Sequence, residues 1–351
     1  MDMARASLRP SAPQQDEDER GEEGDRPEGQ RGAGVRRAEE LREQRADHER
    51  AEHECEVDEA SPGHGWIVWW PPMTVLHEEI DAQHHGRERF ICCHRIGDVI
   101  IDPGPAVSCQ NVVAALGGEA PRAILLTHIH LDHAGGAGTL ARLWPDTEIW
   151  VHERGAPHLI DPSRLLASAL RIYGDRMDEL WGPIEPIAAD RVRVLHGGET
   201  VDGFRVAYTP GHAVHHVSFL HEETGIAFTG DVAGMRYGSG FVLPPTPPPD
   251  IDLDAWEASI RLLESWDPQA LGITHFGTYT DVAEHLGLLR ESLAFLGRRA
   301  RTGPRETFEA DVLAWMTERA APETLTQYGG VGVLPSYFDG LARHWARHDA
   351  G

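Results

Sequence analysis

The stretch THIHLDHAGG, Thr127 to Gly136, follows a predicted strand and precedes a predicted helix. It places four metal-ligand side chains within six positions: His128, His130, Asp132 and His133. Imidazole nitrogens and carboxylate oxygens are ligands of zinc, iron and manganese. On an extended or loop backbone, alternate side chains point the same way. We therefore expect His128 and His130 to reach one metal, while Asp132 and His133 turn toward a second.

Three segments further along the chain have the same character. TPGHAVHH (209–216) offers His212, FTGDVAG (228–234) offers Asp231, and ITHFG (273–277) offers His275. Each lies at a strand end beside glycine, where a rigid scaffold presents side chains from loops. Seven such ligands suit two metals of about four or five ligands each when a bridging oxygen is shared. The sequence thus predicts a two-metal site.

Chance clustering is the alternative interpretation, because the chain holds 21 histidines. A single histidine is usually a surface residue or a hydrogen-bonded core residue. We interpret five of them in that way: His84, His85, His152, His158 and His285. Four ligand-type residues in six positions, followed by three strand-end ligands in order, form a multi-part motif.

The complete pattern resembles the metallo-β-lactamase superfamily, whose signature is HxHxDH followed by a distant His, an Asp and a His. The likeness covers about residues 73–300. It implies a four-layer αββα sandwich with the metals at one edge between the sheets. It also implies the ligand sets: His128, His130 and His212 on the first metal, Asp132, His133 and His275 on the second, and Asp231 as the bridge.

Two further residues are expected to support the ligands. IIDPGP (100–105) resembles the family's early strand end, which makes Asp102 a residue behind the ligands. His216 stands where the family often has a second histidine, and we expect it to orient a ligand by hydrogen bonding. An ordinary turn role is the alternative for both.

Short apolar runs alternate with amphipathic ones after about residue 64, which favours a layered α/β protein. The predicted strands are Phe90–His94, Asp98–Ile101, Ala123–Leu126, Glu148–Val151, Val192–Leu195, Phe204–Tyr208, Val217–Leu220, Ile226–Phe228 and Ala270–Ile273. The predicted helices are Gly138–Trp144, Leu253–Trp266, Asp281–Leu296 and Glu306–Glu318. The Pro-rich Leu243–Asp250 must be a loop.

Three segments are expected along the chain. Residues 1–62 form an acidic N-terminal segment that is too polar to offset its ordering entropy by burial, so we predict disorder. Residues 63–300 form the catalytic domain, and residues 301–351 a C-terminal helical extension. Because folded-type sequence begins near Met73, a second hypothesis is that the native chain starts there, so that residues 1–72 are not part of it.

The amino-acid composition limits the kinds of partner that we expect. The formal net charge is −25 and the basic residues are all arginine. An acidic surface repels phosphate backbones, so we expect no nucleic-acid partner. No apolar run is long enough to span a membrane, and no signal peptide is visible. Four cysteines without CxxC spacing indicate a reduced protein, which we place in the cytoplasm.

The site and the resemblance together predict a hydrolase. Two divalent ions, of zinc or alternatively iron or manganese, would share a hydroxide that attacks a small ester, thioester or lactone. Asp132 or Asp231 would carry the proton to the leaving group. The glyoxalase II type is the most similar pattern. Alternatives are an iron persulfide dioxygenase using His128, His212 and Asp231, and a metal-binding protein without activity.

Substrate contacts are expected from loops facing the metals. The candidates are Arg236, which could pair with a substrate carboxylate, and Tyr237 and Tyr279. Residues 152–165 are interpreted as a lid or an ordinary connector. The helical face of Phe308, Val312 and Met316 is expected to pack on the core or on a second subunit.

Overall fold

Two six-stranded sheets form the centre of the structure. The computed structural model describes residues 76–329 and 334–349. The predicted disorder of residues 1–62 and the hypothesis of a start at Met73 lie outside the described residues. The first sheet runs in the order β1 to β6: His77–Asp81, Cys92–Ile96, Val99–Ile101, Ala123–Leu125, Glu148–His152 and Val192–Leu195.

The second sheet has the spatial order β12-β11-β10-β9-β8-β7. Its strands, from β7 to β12, are Thr200–Val201, Phe204–Tyr208, Val217–His221, Ile226–Phe228, Ala270–Ile273 and Gly277–Tyr279. Both sheets are mixed: β3 to β6 are parallel, and in the second sheet only β10 and β11 are. Neighbouring parallel strands have their carboxyl ends at the same edge of the sheet. The loops that carry the candidate metal ligands leave the sheets at that edge.

Eleven helices are assigned in the described residues. From α1 to α11 they are Cys109–Ala115, Leu131–Ala134, Ala137–Leu143, Ala156–Ile160, Ser163–Tyr173, Met177–Trp181, Leu253–Ser265, Val282–Thr302, Arg305–Thr317, Pro322–Gly329 and Leu334–His348. The first sheet is covered by α1, α3 and α4, and the second by α7 to α11. Between the sheets, Leu125 and Trp150 of the first pack with Phe219 and Phe228 of the second.

The predicted αββα sandwich with C-terminal helices is confirmed. The C-terminal helices share the core of the second sheet, since Phe308, Val312 and Met316 are buried in the same apolar cluster as Leu289 of α8. Of the two roles expected for this face, packing on the core is the one observed. No described helix is long and apolar enough to cross a membrane.

Several elements differ from the sequence-based predictions. Strand β1 was not predicted, because its sequence HEEID shows no alternation of apolar and polar residues. It is an edge strand pairing antiparallel with β2, and charged residues are common on such edges. The second strand begins at Cys92 rather than Phe90. The segment after His152 contains α4 and α5, so residues 152–165 are largely helical.

Candidate metal centre

The first three ligands converge from two strand ends. His128 and His130 lie between the end of β4 and α2, and His212 lies in the turn after β8. Gly211 has a φ of +136°, and a Cβ there would stand 2.4 Å from the Cα of Trp256. Only glycine lets this turn approach α7 so closely.

Three imidazole nitrogens meet in this first cluster. Nδ1 of His130 lies 3.0 Å from Nε2 of His128 and 2.9 Å from Nε2 of His212. The far nitrogens have partners that set the tautomers. His212 Nδ1 donates to the Pro245 carbonyl at 2.8 Å. His128 Nδ1 donates to the Thr127 hydroxyl at 3.1 Å, since that hydroxyl donates to Asp102. Both Nε2 atoms therefore present lone pairs to the same point.

The second cluster consists of Asp132, His133 and His275. His275 Nδ1 donates to the Phe90 carbonyl at 3.1 Å, and its Nε2 lies 3.3 Å from Oδ2 of Asp132. His133 Nδ1 donates to Asp102 at 2.7 Å, so in the neutral ring Nε2 carries the lone pair. Again each imidazole turns a lone pair toward the carboxylates.

Asp231 stands between the two clusters. It lies in the short helical turn Gly230–Ala233 after β10. Its Oδ2 is 3.3 Å from Nε2 of His212 and 3.8 Å from Nε2 of His128. Its Oδ1 is 3.1 Å from Nε2 of His133 and 3.6 Å from Nε2 of His275. One carboxylate oxygen thus faces each cluster, which is the arrangement of a bridging ligand.

Burial and neighbouring charges shift the pKa values of the site residues. Burial lowers the pKa of His212 to about 4, although Asp231 opposes the shift. Burial alone would also lower the pKa of His133, but the carboxylates of Asp231, Asp102 and Asp132 outweigh it and raise that pKa. For Asp231, burial acts to raise the pKa, and the surrounding histidines hold it well below the usual range.

The environment of two buried polar atoms indicates whether these His and Asp side chains suit metal ions. His133 Nε2 and Asp231 Oδ1 are fully buried and 3.1 Å apart, but the geometry between them is not that of a hydrogen bond, so neither has a partner among the described residues. A buried acceptor without a partner is costly unless a cation completes its environment. Two groups of His and Asp donors with converging lone pairs therefore fit two divalent ions. The first group is His128, His130, His212 and Asp231, and the second is Asp132, His133 and His275.

Asp102 connects the ends of three strands behind the ligands. It accepts from the Thr127 amide at 2.8 Å and from the Thr127 hydroxyl at 2.6 Å. It also accepts from the Thr274 hydroxyl at 2.8 Å and from His133. The structure thus places Asp102 behind a ligand, where the sequence predicted it. It orients His133 and holds the residues before His128 and His275.

His216 lies behind the first cluster and is not among the converging donors. Its ring stacks on that of His128 with centroids 5.0 Å apart, and its Nδ1 is 2.9 Å from the Thr209 hydroxyl. The structure thus places it against a ligand ring by stacking, and the expected hydrogen bond to a ligand is not observed. His215, which the sequence reasoning did not select, also stacks on His128, at 6.1 Å.

The three predicted substrate contacts have different environments. Arg236 is 7% exposed, and its guanidinium binds both oxygens of Asp281 at 2.9 and 2.7 Å. It is therefore not free to bind a substrate carboxylate, and that expectation is corrected. Tyr279 donates to the backbone carbonyl of Arg236 at 2.5 Å. Tyr237 remains half-buried beside the second cluster, with its hydroxyl 3.3 Å from Nδ1 of His275.

Arg236 instead connects two ligand loops. Its amide donates to the His275 carbonyl at 2.5 Å, and it lies five positions after Asp231. Asp281→Ala would leave a guanidinium that is 8% exposed without its counterion. We expect the free energy of unfolding to fall by about 2 kcal/mol, because a buried charge loses its partner. Urea denaturation measures this change.

Arg142→Ala provides the control for that prediction. Arg142 is 70% exposed and pairs with Glu185 at 2.7 Å, so its removal should leave the urea midpoint unchanged. Equal midpoints for wild type and Asp281→Ala would contradict the role assigned to the Arg236 pair.

The sequence reasoning missed the groups that set the ligand tautomers. Thr127 adjoins a ligand, so its place in the motif was a usable signal. The carbonyls of Pro245 and Phe90 reach His212 and His275 across 33 and 185 positions of the chain. No local pattern identifies such backbone partners.

The fold and site together define a class: an αββα sandwich with a His/Asp centre suited to two metals at the edge between its sheets. The sequence model of the metallo-β-lactamase superfamily matches residues 93–275, just over half of the chain. The chain belongs to the metallo-β-lactamase superfamily.

Individual relatives agree with this assignment. A metallo-β-lactamase fold-containing protein of Sulfurisphaera tokodaii is 33% identical over 172 residues, which cover 46% of this chain and 64% of that protein. A hydroxyacylglutathione hydrolase of Xanthomonas euvesicatoria is 32% identical over 160 residues, covering 44% and 48%. The chain therefore spans less than two thirds of either relative.

A solved structure shares the fold. The crystal structure of an archaeal metallo-β-lactamase superfamily protein from Sulfolobus tokodaii matches with a TM-score of 0.55 and 23% identity. The match covers 76% of this chain and 97% of that one. At this identity the likeness concerns the fold.

Proposed function

We propose that the protein is a dinuclear metal-dependent hydrolase of a small ester, thioester or lactone. The main support for the proposal is the position of Asp231, which has one carboxylate oxygen facing each ligand cluster. A centre of this kind supplies Lewis-acid activation of water and of the substrate oxygen at neutral pH. The hydroxyacylglutathione hydrolase similarity supports a thioester or ester bond.

The chain's own residues would divide the remaining work. Asp132 is the carboxylate at the opening, with 29% of its side chain exposed against 4% for Asp231. We infer that it would accept a proton from water and pass it to the leaving group. His275 lies beside Asp132, with Nε2 3.3 Å from its Oδ2, and Asp102 keeps His133 in the tautomer that donates away from the centre.

Zinc is the metal we propose, since imidazole and carboxylate donors suit it, with iron and manganese as alternatives. We further propose a small-molecule substrate without a nucleic-acid or membrane partner, in a cytoplasmic protein that could form homo-oligomers. Its net charge of −25 supports the exclusion of nucleic acid.

Metal analysis combined with turnover tests the proposal. We expect two zinc ions per chain and hydrolysis of thioester, ester or lactone probes, lost on chelation and restored by metal. Chelation should also lower the melting temperature, because a metal that binds only the folded state stabilises it. Removal of metal at an unchanged melting temperature would contradict the centre.

Two other results would replace the hydrolase by its alternatives. One iron per chain with oxygen uptake on a persulfide would indicate a dioxygenase that uses His128, His212 and Asp231. A stable metal centre without turnover on any of these probes would indicate a metal-binding protein.

A further inference from the structure

The exposed part of the metal centre lies at Asp132 and His130. His133 and His212 have no exposed side-chain surface, and His275 and Asp231 are each 4% exposed. Asp132 is 29% exposed, and among the other ligands only His130 is also half-buried. Asp132 is therefore the exposed ligand of the second cluster.

Five rings form a continuous chain of contacts that ends beside the ligand His275, and we name them the aromatic collar: His84, Phe90, Tyr173, Trp181 and Tyr237. Consecutive centroids are close, with Tyr173 to Trp181 at 5.1 Å, Trp181 to His84 at 5.7 Å, and His84 to Phe90 at 6.1 Å. Phe90 continues to Tyr237 at 5.8 Å and to the ligand His275 at 6.0 Å. The collar thus leads from α5 and α6 to a metal ligand.

The helices that supply the collar are anchored between two ligands. Leu131, which separates His130 from Asp132 in the chain, packs with Ala169 of α5 and Met177 of α6. Tyr173 and Trp181 are therefore held in the collar by the same short segment that carries the ligands. Four of the five collar rings are half-buried, so part of their surface remains open for contact.

Trp181 carries a polar group without a partner. Its Nε1 is buried, and no described residue accepts a hydrogen bond from it. A buried donor of this kind is costly unless something accepts from it. A polar atom on a bound ligand would supply that acceptor.

The charged groups around the collar are of both signs, a guanidinium at Arg87 and a carboxylate at Asp132, so charge alone selects neither an anionic nor a cationic ligand. Burial lowers the pKa of His84 to about 4, so this ring is neutral. The guanidinium of Arg87 lies 3.8 Å from the Phe90 centroid and donates to the Gln327 carbonyl at 2.7 Å. Arg236 is bound to Asp281, and the Asp132 carboxylate is partly exposed.

We propose that the aromatic collar binds the acyl part of the substrate, and that this part is an aromatic group with a hydrogen-bond acceptor within reach of Trp181. The inference rests on the proposed function and names its substrate class. Aromatic rings bind one another through edge and offset contacts, and the half-buried rings provide those surfaces beside the metal centre.

Two hydroxamates test the collar without requiring any reaction. Acetohydroxamate and benzohydroxamate chelate metal through the same group and differ only in the acyl part. Calorimetric titration of the full-length, zinc-loaded protein should show benzohydroxamate binding at least about tenfold more tightly, since one ring gains aromatic contacts. Equal affinities would overturn the proposal.

Variants at Trp181 and Trp266 test whether the preference for benzohydroxamate arises at the aromatic collar. Trp181→Ala should reduce the ratio of the two affinities to near one, and Trp181→Phe, which keeps a smaller ring, should give an intermediate ratio. Trp266→Phe, at the end of α7 and outside the collar, should keep the wild-type ratio. A large ratio that survives in Trp181→Ala would overturn the assignment to the collar.

Turnover assays separate this inference from the proposed function. Tight benzohydroxamate binding without hydrolysis of any probe would remove the hydrolase proposal and leave the collar. Hydrolysis in which benzoyl and acetyl thioesters have equal kcat/KM, together with equal hydroxamate affinities, would retain the hydrolase and remove the collar.

Discussion

Asp231→Ala is expected to lose both metal ions together and to lower kcat/KM by about a thousandfold or more. The physical reason is that this single carboxylate faces both clusters, with Oδ2 3.3 Å from His212 and Oδ1 3.1 Å from His133. Lewis-acid activation contributes several kcal/mol to such a reaction, and about 1.4 kcal/mol is tenfold in rate. Elemental analysis and turnover on the same preparation measure both losses.

Asp132→Ala is the matched comparison within the site. Asp132 belongs to the second cluster, so its removal should weaken the second ion and leave the four donors of the first cluster in place. One retained ion per chain is therefore expected. The bridging assignment would be wrong if Asp231→Ala also retained one ion, or if it retained two.

Asp102→Asn is expected to weaken the second metal by about 10- to 100-fold, the usual effect of losing a partner behind a ligand. Asp102 accepts four hydrogen bonds, including that from His133 Nδ1 at 2.7 Å. The side-chain amide of asparagine at this position would turn its own N–H donor toward groups that are themselves donors. The free energy of unfolding should fall by about 2–4 kcal/mol, because the buried donors lose their acceptor.

Asparagine is the appropriate substitution because Asp102 has a φ of +50°. Asparagine tolerates this left-handed conformation, so the change tests the charge and not the backbone. Competition with a chromophoric chelator measures the affinity, and urea denaturation measures the stability. Asp98→Asn, an exposed carboxylate 3.1 Å from Arg122, is the control and should change neither. An unaltered second metal in Asp102→Asn would refute its positioning role.

Prediction from sequence succeeded where the signal was local. His128, His130, Asp132 and His133 occupy six positions, so their grouping required only the path of one loop. His212, Asp231 and His275 were predicted from strand ends beside glycine and from family order. The structure brings all seven together.

Prediction failed where the determinant was a distant partner. Arg236 was expected to bind substrate, but Asp281, which is 45 positions away, occupies its guanidinium. A charged side chain gives no sequence signal of whether it meets a ligand or an ion-pair partner. Strand β1 was missed for a similar reason, since its pairing with β2 across the connection 82–91 makes it a strand while its own residues are mostly polar.

The sequence by itself therefore determined the donor types, their order and the layered fold, because these follow from residue chemistry and short-range periodicity. Only the tertiary structure decided which nitrogen of each histidine points inward and which rings form the aromatic collar, whereas the family resemblance had already implied the place of Asp231 between the clusters. These features depend on contacts between segments far apart in the chain. Hydrogen bonds such as that from His275 to the Phe90 carbonyl form only once both sheets are packed.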